Sequence, residues 1–276
     1  MEHVCVCTAG QVIHTLPEGE TVLGVTLLAD KIYLLRRKYA NQVVVYDVNT
    51  YRLLRSLTVP NCSSFADMTS CEHHRCVYII AVLDSGRIYR LDVQGAIVWW
   101  NVNDKPSGLS VNADSNLLVT CVVRTIQEFT THGTVVREIR LPDGVVSPLH
   151  AIQLSTGQFV VCHGSPGDSV HRVCVISPDG RRIVRSHGGM PASDVGHYDI
   201  PRHLAVNSQG FVFVAEIRNR RVTLLSPTLE YVCHVLSSNQ LKWQPFRLCL
   251  DVQRGRLYVA DTERKGDNGR VVVFRI

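Results

Sequence analysis

His150, His203 and Arg247 are the residues of this chain whose types and spacing could do chemistry together. Each opens an apolar stretch of strand length in a consecutive copy of a repeated unit, so an array closed on itself would bring the three side chains together at a channel mouth. Two imidazoles there would hold zinc or calcium if a carboxylate or a third imidazole joined them. The corresponding places of the other copies, Gly24, Ala66 and Gly108, offer none, which leaves the three polar residues to line the mouth for a ligand tail. His163-Gly164-Ser165-Pro166-Gly167 has the wrong spacing for a Gly-x-Ser-x-Gly nucleophile elbow.

Cysteine chemistry is weaker still. Cys71-Glu72-His73-His74-Arg75-Cys76 holds two thiols and two imidazoles, but all four lie on one expected hairpin, where zinc sites join ligands from separated segments. Cys5-Val6-Cys7 has no second pair nearby. Cys121, Cys162, Cys174, Cys233 and Cys249 fall inside apolar runs and read as small buried hydrophobes of a reducing compartment.

The elements that must position these residues are strands. From Pro201 to Leu236 the chain reads as a four-stranded antiparallel meander: Leu204 and Val206 alternate with other residues, Ser208-Gln209-Gly210 turns, and Phe211 to Ala215 is a β-favouring run. Val222 to Leu225 and Tyr231 to Leu236 complete it. The unit recurs six times, with first strands opening at Gly24, Ala66, Gly108, His150, His203 and Arg247, spaced 42, 42, 42, 53 and 44 residues apart. Four strands repeated every 40 to 50 residues or about that is the signature of a propeller blade. The expected fold is all-β: one domain over 1–276, a six-bladed β-propeller of four-stranded antiparallel blades. The N-terminal residues Gln11 to Leu16 pair into the last blade and close the ring, removing exposed edges. Val4 to Cys7 and Val271 to Phe274 compete for the third strand of that blade.

The unit resembles the NHL repeat, carried best by Pro201, Ala205-Val206, Gly210, Val214-Ala215 and Asn219-x-Arg221-Val222, and by Pro245, Gly255, Tyr258-Val259-Ala260-Asp261 and Arg270-Val271. His150, His203 and Arg247 stand where that pattern usually has Gly, and Asn207 and Glu216 where it has Asp. Arg221 and Arg270 match the pattern's Arg and are expected to be structural. The resemblance implies recognition of a protein partner or of single-stranded RNA, as by the propellers that end tripartite-motif proteins. This chain shows no zinc-binding ubiquitin-ligase module. Similar six-bladed propellers also include lyases and lactonases with a metal on the axis.

Bulk properties favour the recognition reading. The 276 residues are 45% hydrophobic and 19% charged, with no apolar run of membrane-spanning length and no basic, apolar leader. A cytoplasmic location follows as the expectation. Only five of the 29 basic residues are Lys, and Arg is the residue whose planar fork suits interfaces. Loops between second and third strands carry Arg36, Arg37, Lys38, Tyr39, Arg218, Arg220, Arg264 and Lys265; Trp243 and Arg247 lie beside them, and Arg202 beside His203. The segment 187–199, rich in Gly, Pro and Ser, reads as a mobile surface loop. The expected function is thus non-catalytic binding of a protein or peptide by this basic, aromatic face, using those residues and His150 and His203. Single-stranded RNA is the alternative, since a pI near 8.7 is below that of most nucleic-acid binders. A metal-dependent lyase or lactonase at the channel mouth is the second alternative. No cofactor, resident metal, membrane or DNA partner is expected.

Overall fold

The structure is a computed structural model that describes residues 10–37, 42–59, 65–81, 86–263 and 267–276. Every regular element among the described residues is a strand, so no helix there is long and apolar enough to cross a membrane. The strands form antiparallel meanders, as the alternating patterns require. One sheet comprises β6 (Phe65–Cys71), β7 (Cys76–Ala81), β8 (Arg87–Asp92) and β9 (Ile97–Asn101). The next is β10 (Pro106–Val111), β11 (Leu117–Cys121), β12 (Thr125–Phe129) and β13 (Val135–Arg140). It is followed by β14 (Pro148–Gln153), β15 (Phe159–His163), β16 (His171–Ile176) and β17 (Ile183–Gly189). Then come β18 (Pro201–Val206), β19 (Val212–Glu216), β20 (Arg221–Leu225) and β21 (Tyr231–Leu236).

The remaining eight strands form a single sheet, and here the expected count of six separate blades is corrected. Its first run is β2 (Gly19–Leu28), β3 (Lys31–Arg37), β4 (Gln42–Asp47) and β5 (Leu53–Thr58). Its second is β22 (Gln244–Asp251), β23 (Arg256–Thr262), β24 (Asn268–Arg275) and β1 (Gln11–Thr15), which pairs antiparallel with β24. The fusion has a local cause: the start of β2 runs long enough for Gly19 and Glu20 to pair with Gly269 and Asn268 of β24. Val271 to Phe274, within β24, hold the third-strand place of that run; Cys5 and Cys7 lie outside the described residues.

The first strands β2, β6, β10, β14, β18 and β22 contact one another in that order, and β22 returns to β2, giving a closed ring. Between the sheets lies a continuous apolar filling, for example Tyr33, Leu35, Val77, Ile79 and Tyr89 between the first two. Removing such side chains from water, at roughly 25 cal/mol per Å², is the main force holding blade on blade. Second-strand carboxylates are tied to third-strand arginines: Arg221 Nε donates to Glu216 Oε1 at 2.9 Å, and Arg270 Nε to Asp261 Oδ2 at 2.9 Å. These pairs give Arg221 and Arg270 the structural role expected of them.

Two further expectations are corrected. Cys71, Cys76, Cys121, Cys162 and Cys174 are free and buried, but Cys233 is disulfide-bonded and so is not reduced core filler. The 187–199 segment is anchored: its first three residues end β17, Tyr198 is buried, and Arg221 donates to the carbonyls of Ser193 at 2.6 Å and His197 at 2.7 Å.

Candidate active site

One irregularity, repeated in all six first strands, builds the site. The pairing of each first strand with its second shifts by one residue, between Val22 and Gly24, Phe65 and Asp67, Pro106 and Gly108, Pro148 and His150, Pro201 and His203, and Pro245 and Arg247. A β-bulge leaves one residue unpaired and re-aims its neighbours. The residues after the shift are therefore Gly24, Asp67, Gly108, His150, His203 and Arg247. The equivalence drawn from regular spacing named Ala66, and it is corrected here by one place, which supplies the carboxylate that reading lacked.

These residues meet in a buried cluster. Arg247 Nε donates to Asp67 Oδ1 at 2.6 Å, while its Nη1 and Nη2 donate to the Phe246 and Ala66 carbonyls. Asp67, wholly buried, also accepts from the backbone N–H of Met68 at 2.9 Å and, through Oδ2, from that of Leu109 at 2.8 Å. The His150 and His203 rings stack, with centroids 3.9 Å apart and 29° between planes. His150 Nε2 lies 2.9 Å from the Leu109 carbonyl, which can only accept, so Nε2 carries the hydrogen and Nδ1 is left buried without a partner. His203 Nδ1 accepts from Leu248 N–H at 3.3 Å, so its Nε2 hydrogen faces Asp67 Oδ1, 3.9 Å away. Burial lowers both pKa values, that of His150 to about 4 and that of His203 well below 6.5, so both rings are neutral at pH 7.

The donor atoms of Asp67, His150 and His203 lie within 4.8 Å of one another, which invites an ion. Their directions do not suit one. Imidazole lone pairs lie in the ring plane, and two stacked rings send them side by side instead of toward one point. The Asp67 carboxylate, moreover, is already engaged by a guanidinium and two backbone N–H groups. The three residues as arranged do not fit a bound metal.

The unpaired bulge residues face the other way. Leu23, Ala66, Leu149, Arg202 and Phe246 line a cavity of about 370 Å³ on the ring axis, while Ser107 turns its hydroxyl to the Thr120 and Pro148 carbonyls. Arg37 and Glu263 add charge to the wall, and Ile200 and Ile217 add apolar surface. Glu263 Oε2 accepts from Asn268 Nδ2 at 2.9 Å. Ile200 has φ near 59°, a strained value for a β-branched residue, held by its N–H donating to His171 Nδ1 at 3.0 Å. The Arg202 guanidinium sits 5.2 Å from the Phe246 ring centroid and has no hydrogen-bond or ion-pair partner among the described residues. Burial, then the Arg247 charge, lower its pKa to about 9.

Of the residues expected to form a basic binding face, the structure gathers His150, Arg202, His203 and Arg247 at the axis and Arg37 at the rim of the cavity. Three others, Arg36, Arg218 and Arg220, serve the fold. Arg36 is buried and donates to the Pro17 carbonyl at 2.9 Å. Arg220 donates to the carbonyls of Leu241, Lys242 and Trp243, and Arg218 lies 3.5 Å from Asp199. Trp243 is half-buried against Lys242. Lys38, Tyr39, Arg264 and Lys265 lie outside the described residues. Sequence reasoning missed Asp67 as a site residue. A signal was present: Pro106, Pro148, Pro201 and Pro245 each stand two places before the axial residue, and counting two from Phe65 reaches Asp67.

No protein-family model and no curated protein matches the chain. Solved structures do. The PQQ-bound aldose sugar dehydrogenase of Streptomyces coelicolor is 13% identical, with 96% of this chain and 97% of that one covered and a TM-score of 0.72. Hydrazine synthase of Kuenenia stuttgartiensis is 14% identical, covering 100% and 99%, with a TM-score of 0.66. Virginiamycin B lyase of Staphylococcus aureus is 15% identical, covering 94% and 88%, with a TM-score of 0.61. At such identities the likeness shows the propeller fold alone. The expected non-catalytic module is nonetheless corrected. These similar propellers are enzymes, the supposed binding arginines Arg36, Arg218 and Arg220 are engaged within the fold, and the missing axial carboxylate is present.

Proposed function

We propose that this chain is an enzyme, a lyase or lactonase working in the axial cavity, and that its eight-stranded sheet serves as two blades of a six-bladed ring. One observation carries the reading: a carboxylate, Glu263, and the guanidinium of Arg37 share an apolar-walled cavity seated on the repeated bulges. Pairing and hydrogen bonding place the two on one side. Arg37 pairs with Thr21 of β2, and Thr262, next to Glu263, donates its hydroxyl hydrogen to the Val22 carbonyl at 2.8 Å.

Elimination and lactone opening ask for the same parts. Glu263, one oxygen held by Asn268 and the other without a partner among the described residues, takes the proton, either from carbon beside a carbonyl or from attacking water, and returns it to the departing oxygen as the bond from carbon to that oxygen breaks. Arg37 stabilises the negative charge that develops on the carbonyl oxygen. The cluster of Asp67, Arg247, His150 and His203 fixes the floor below. Because its donors do not converge on an ion, the reaction needs no metal there. The NHL-like repeat pattern belongs to this proposal as the source of the blade-internal Glu216–Arg221 and Asp261–Arg270 ties.

The test is turnover of a panel of lactones, aryl esters and β-eliminable esters by the wild type and by Glu263→Gln. Loss of the base should lower kcat about 100-fold or more. A wild type inert across the panel, or a variant equal to it, overturns the reading.

A further inference from the structure

We infer that Arg202 binds the carboxylate of a small substrate whose body is apolar; this deepens the enzymatic reading of the same cavity and rests on it. The argument is a charge balance. Asp67 is the acidic member of the axial cluster, and its carboxylate is taken by Arg247. His150 and His203 are neutral at pH 7. Arg37 and Glu263 on the wall cancel in charge, so Arg202 leaves one positive charge in excess at the cavity floor, with no ion-pair partner among the described residues.

Its surroundings select the ligand. A guanidinium offers parallel N–H groups that match the two oxygens of a carboxylate, and the match strengthens where water is scarce. Phe246 carries both Arg202 and Arg247 on its ring, at 5.2 Å and 4.4 Å from the centroid, which restrains the Arg202 fork. Leu149, Ile200 and Ile217 surround the floor with apolar surface and would take the substrate's body. A single uncompensated cation suits a monoanion better than a phosphate dianion. About 370 Å³ lies at the small end of the range for ligand pockets.

Calorimetry at pH 7 with 4-phenylbutyrate, 4-phenylbutan-1-ol and inorganic phosphate tests this on the wild type, Arg202→Met and Arg202→Lys. The acid should bind the wild type, and bind Arg202→Met about 10- to 100-fold more weakly. Arg202→Lys should fall between, and the alcohol should bind the wild type as weakly as the acid binds Arg202→Met. Equal binding of acid and alcohol, undiminished binding to Arg202→Met, no binding of the acid, or phosphate binding more tightly than the acid each overturns the inference. Should Arg202→Met fail to fold, the acid and alcohol comparison on the wild type and the Lys variant decide it. Carboxylate binding without turnover of any substrate sinks the enzymatic reading alone, whereas turnover with a KM for acidic substrates unmoved by Arg202→Lys sinks this one alone.

Discussion

Arg247 reaches Asp67 across 180 residues of sequence to donate an Nε hydrogen bond of 2.6 Å, and it does so over Gly24, the axial residue of the strand between them. Gly24 has no side chain to obstruct the bridge, and a Cβ there would meet Met68 Cγ at 2.5 Å. Gly108 plays the same part between Asp67 and His150, where a Cβ would lie 2.6 Å from the Leu149 carbonyl. These two gaps among the six axial places let the ring fill its axis without overcrowding.

Removing one partner of this pair should cost far more than the pair contributes. Asp67→Ala leaves the Arg247 guanidinium, 1% exposed, buried without an anion, and a loss of about 3–5 kcal/mol is expected. Urea unfolding of Asp67→Ala beside Asp67→Ala/Arg247→Met measures it; the double variant should recover part of the loss. Gly108→Ala, by overpacking, should cost about 1–3 kcal/mol.

Acid should destabilise the protein through its axial histidines. Their folded-state pKa values lie below the unfolded value of 6.5, so the unfolded chain binds more protons, and stability present above pH 6.5 is lost as the pH falls toward about 4. Burial opposes the charged form of each, Arg202 and Arg247 add repulsion, and at His150 the Asp67 carboxylate and the Leu109 carbonyl only partly offset them. For His150 alone the loss amounts to about 3 kcal/mol. Denaturation midpoints between pH 7 and 4.5 should fall less in His150→Asn than in the wild type.

Chelation and metal addition should both be without effect at the axis. With the imidazoles stacked at 3.9 Å, zinc or calcium finds no convergent lone pairs. Purified protein should carry metal far below stoichiometry at this site and melt at the same temperature with EDTA or with added zinc or calcium. A stoichiometric ion lost on His150→Ala would show the rings unstack to bind it.

The 187–199 segment should loosen when its clamp is removed. Arg221 holds Ser193 and His197 while pairing with Glu216, whose carboxyl pKa burial raises and Arg221 draws back down. Arg221→Met should speed amide exchange and proteolytic nicking between residues 190 and 197 more than elsewhere.

Anion binding at Arg202 should fade in alkali. Burial and Arg247 lower its pKa to about 9, Asp67 partly opposes them, and the neighbouring Cys162 thiol, pushed up to about 12, stays neutral. The charged form dominates at lower pH, so affinity for 4-phenylbutyrate should be steady from pH 6 to 8 and drop as the pH rises through about 9, save as the bound anion itself holds the proton on. An Arg202→Met protein should show no such drop.

The strands and their order were legible in the residues because period-two alternation and turn chemistry act over four to ten neighbours. Pro201 to Leu236 declares its meander without help from the rest of the chain, and the closing strand Gln11–Thr15 carries the pattern of a blade edge. His150, His203 and Arg247 stood out because each replaces a small residue at a repeated place. Asp67 did not, since a register set by bulges moves the axial position by one residue, and regular spacing cannot reveal a bulge. Only the closed ring decided which charges compensate one another. Arg36 and Arg220 look like free cations in a list of loop residues, yet carbonyls brought from 16 to 23 positions away absorb them. Arg202, placed in a strand by its pattern, turns toward the cavity without a hydrogen-bond or ion-pair partner among the described residues. Local sequence determines backbone shape, whereas pairing of charges depends on distances between segments that only folding sets.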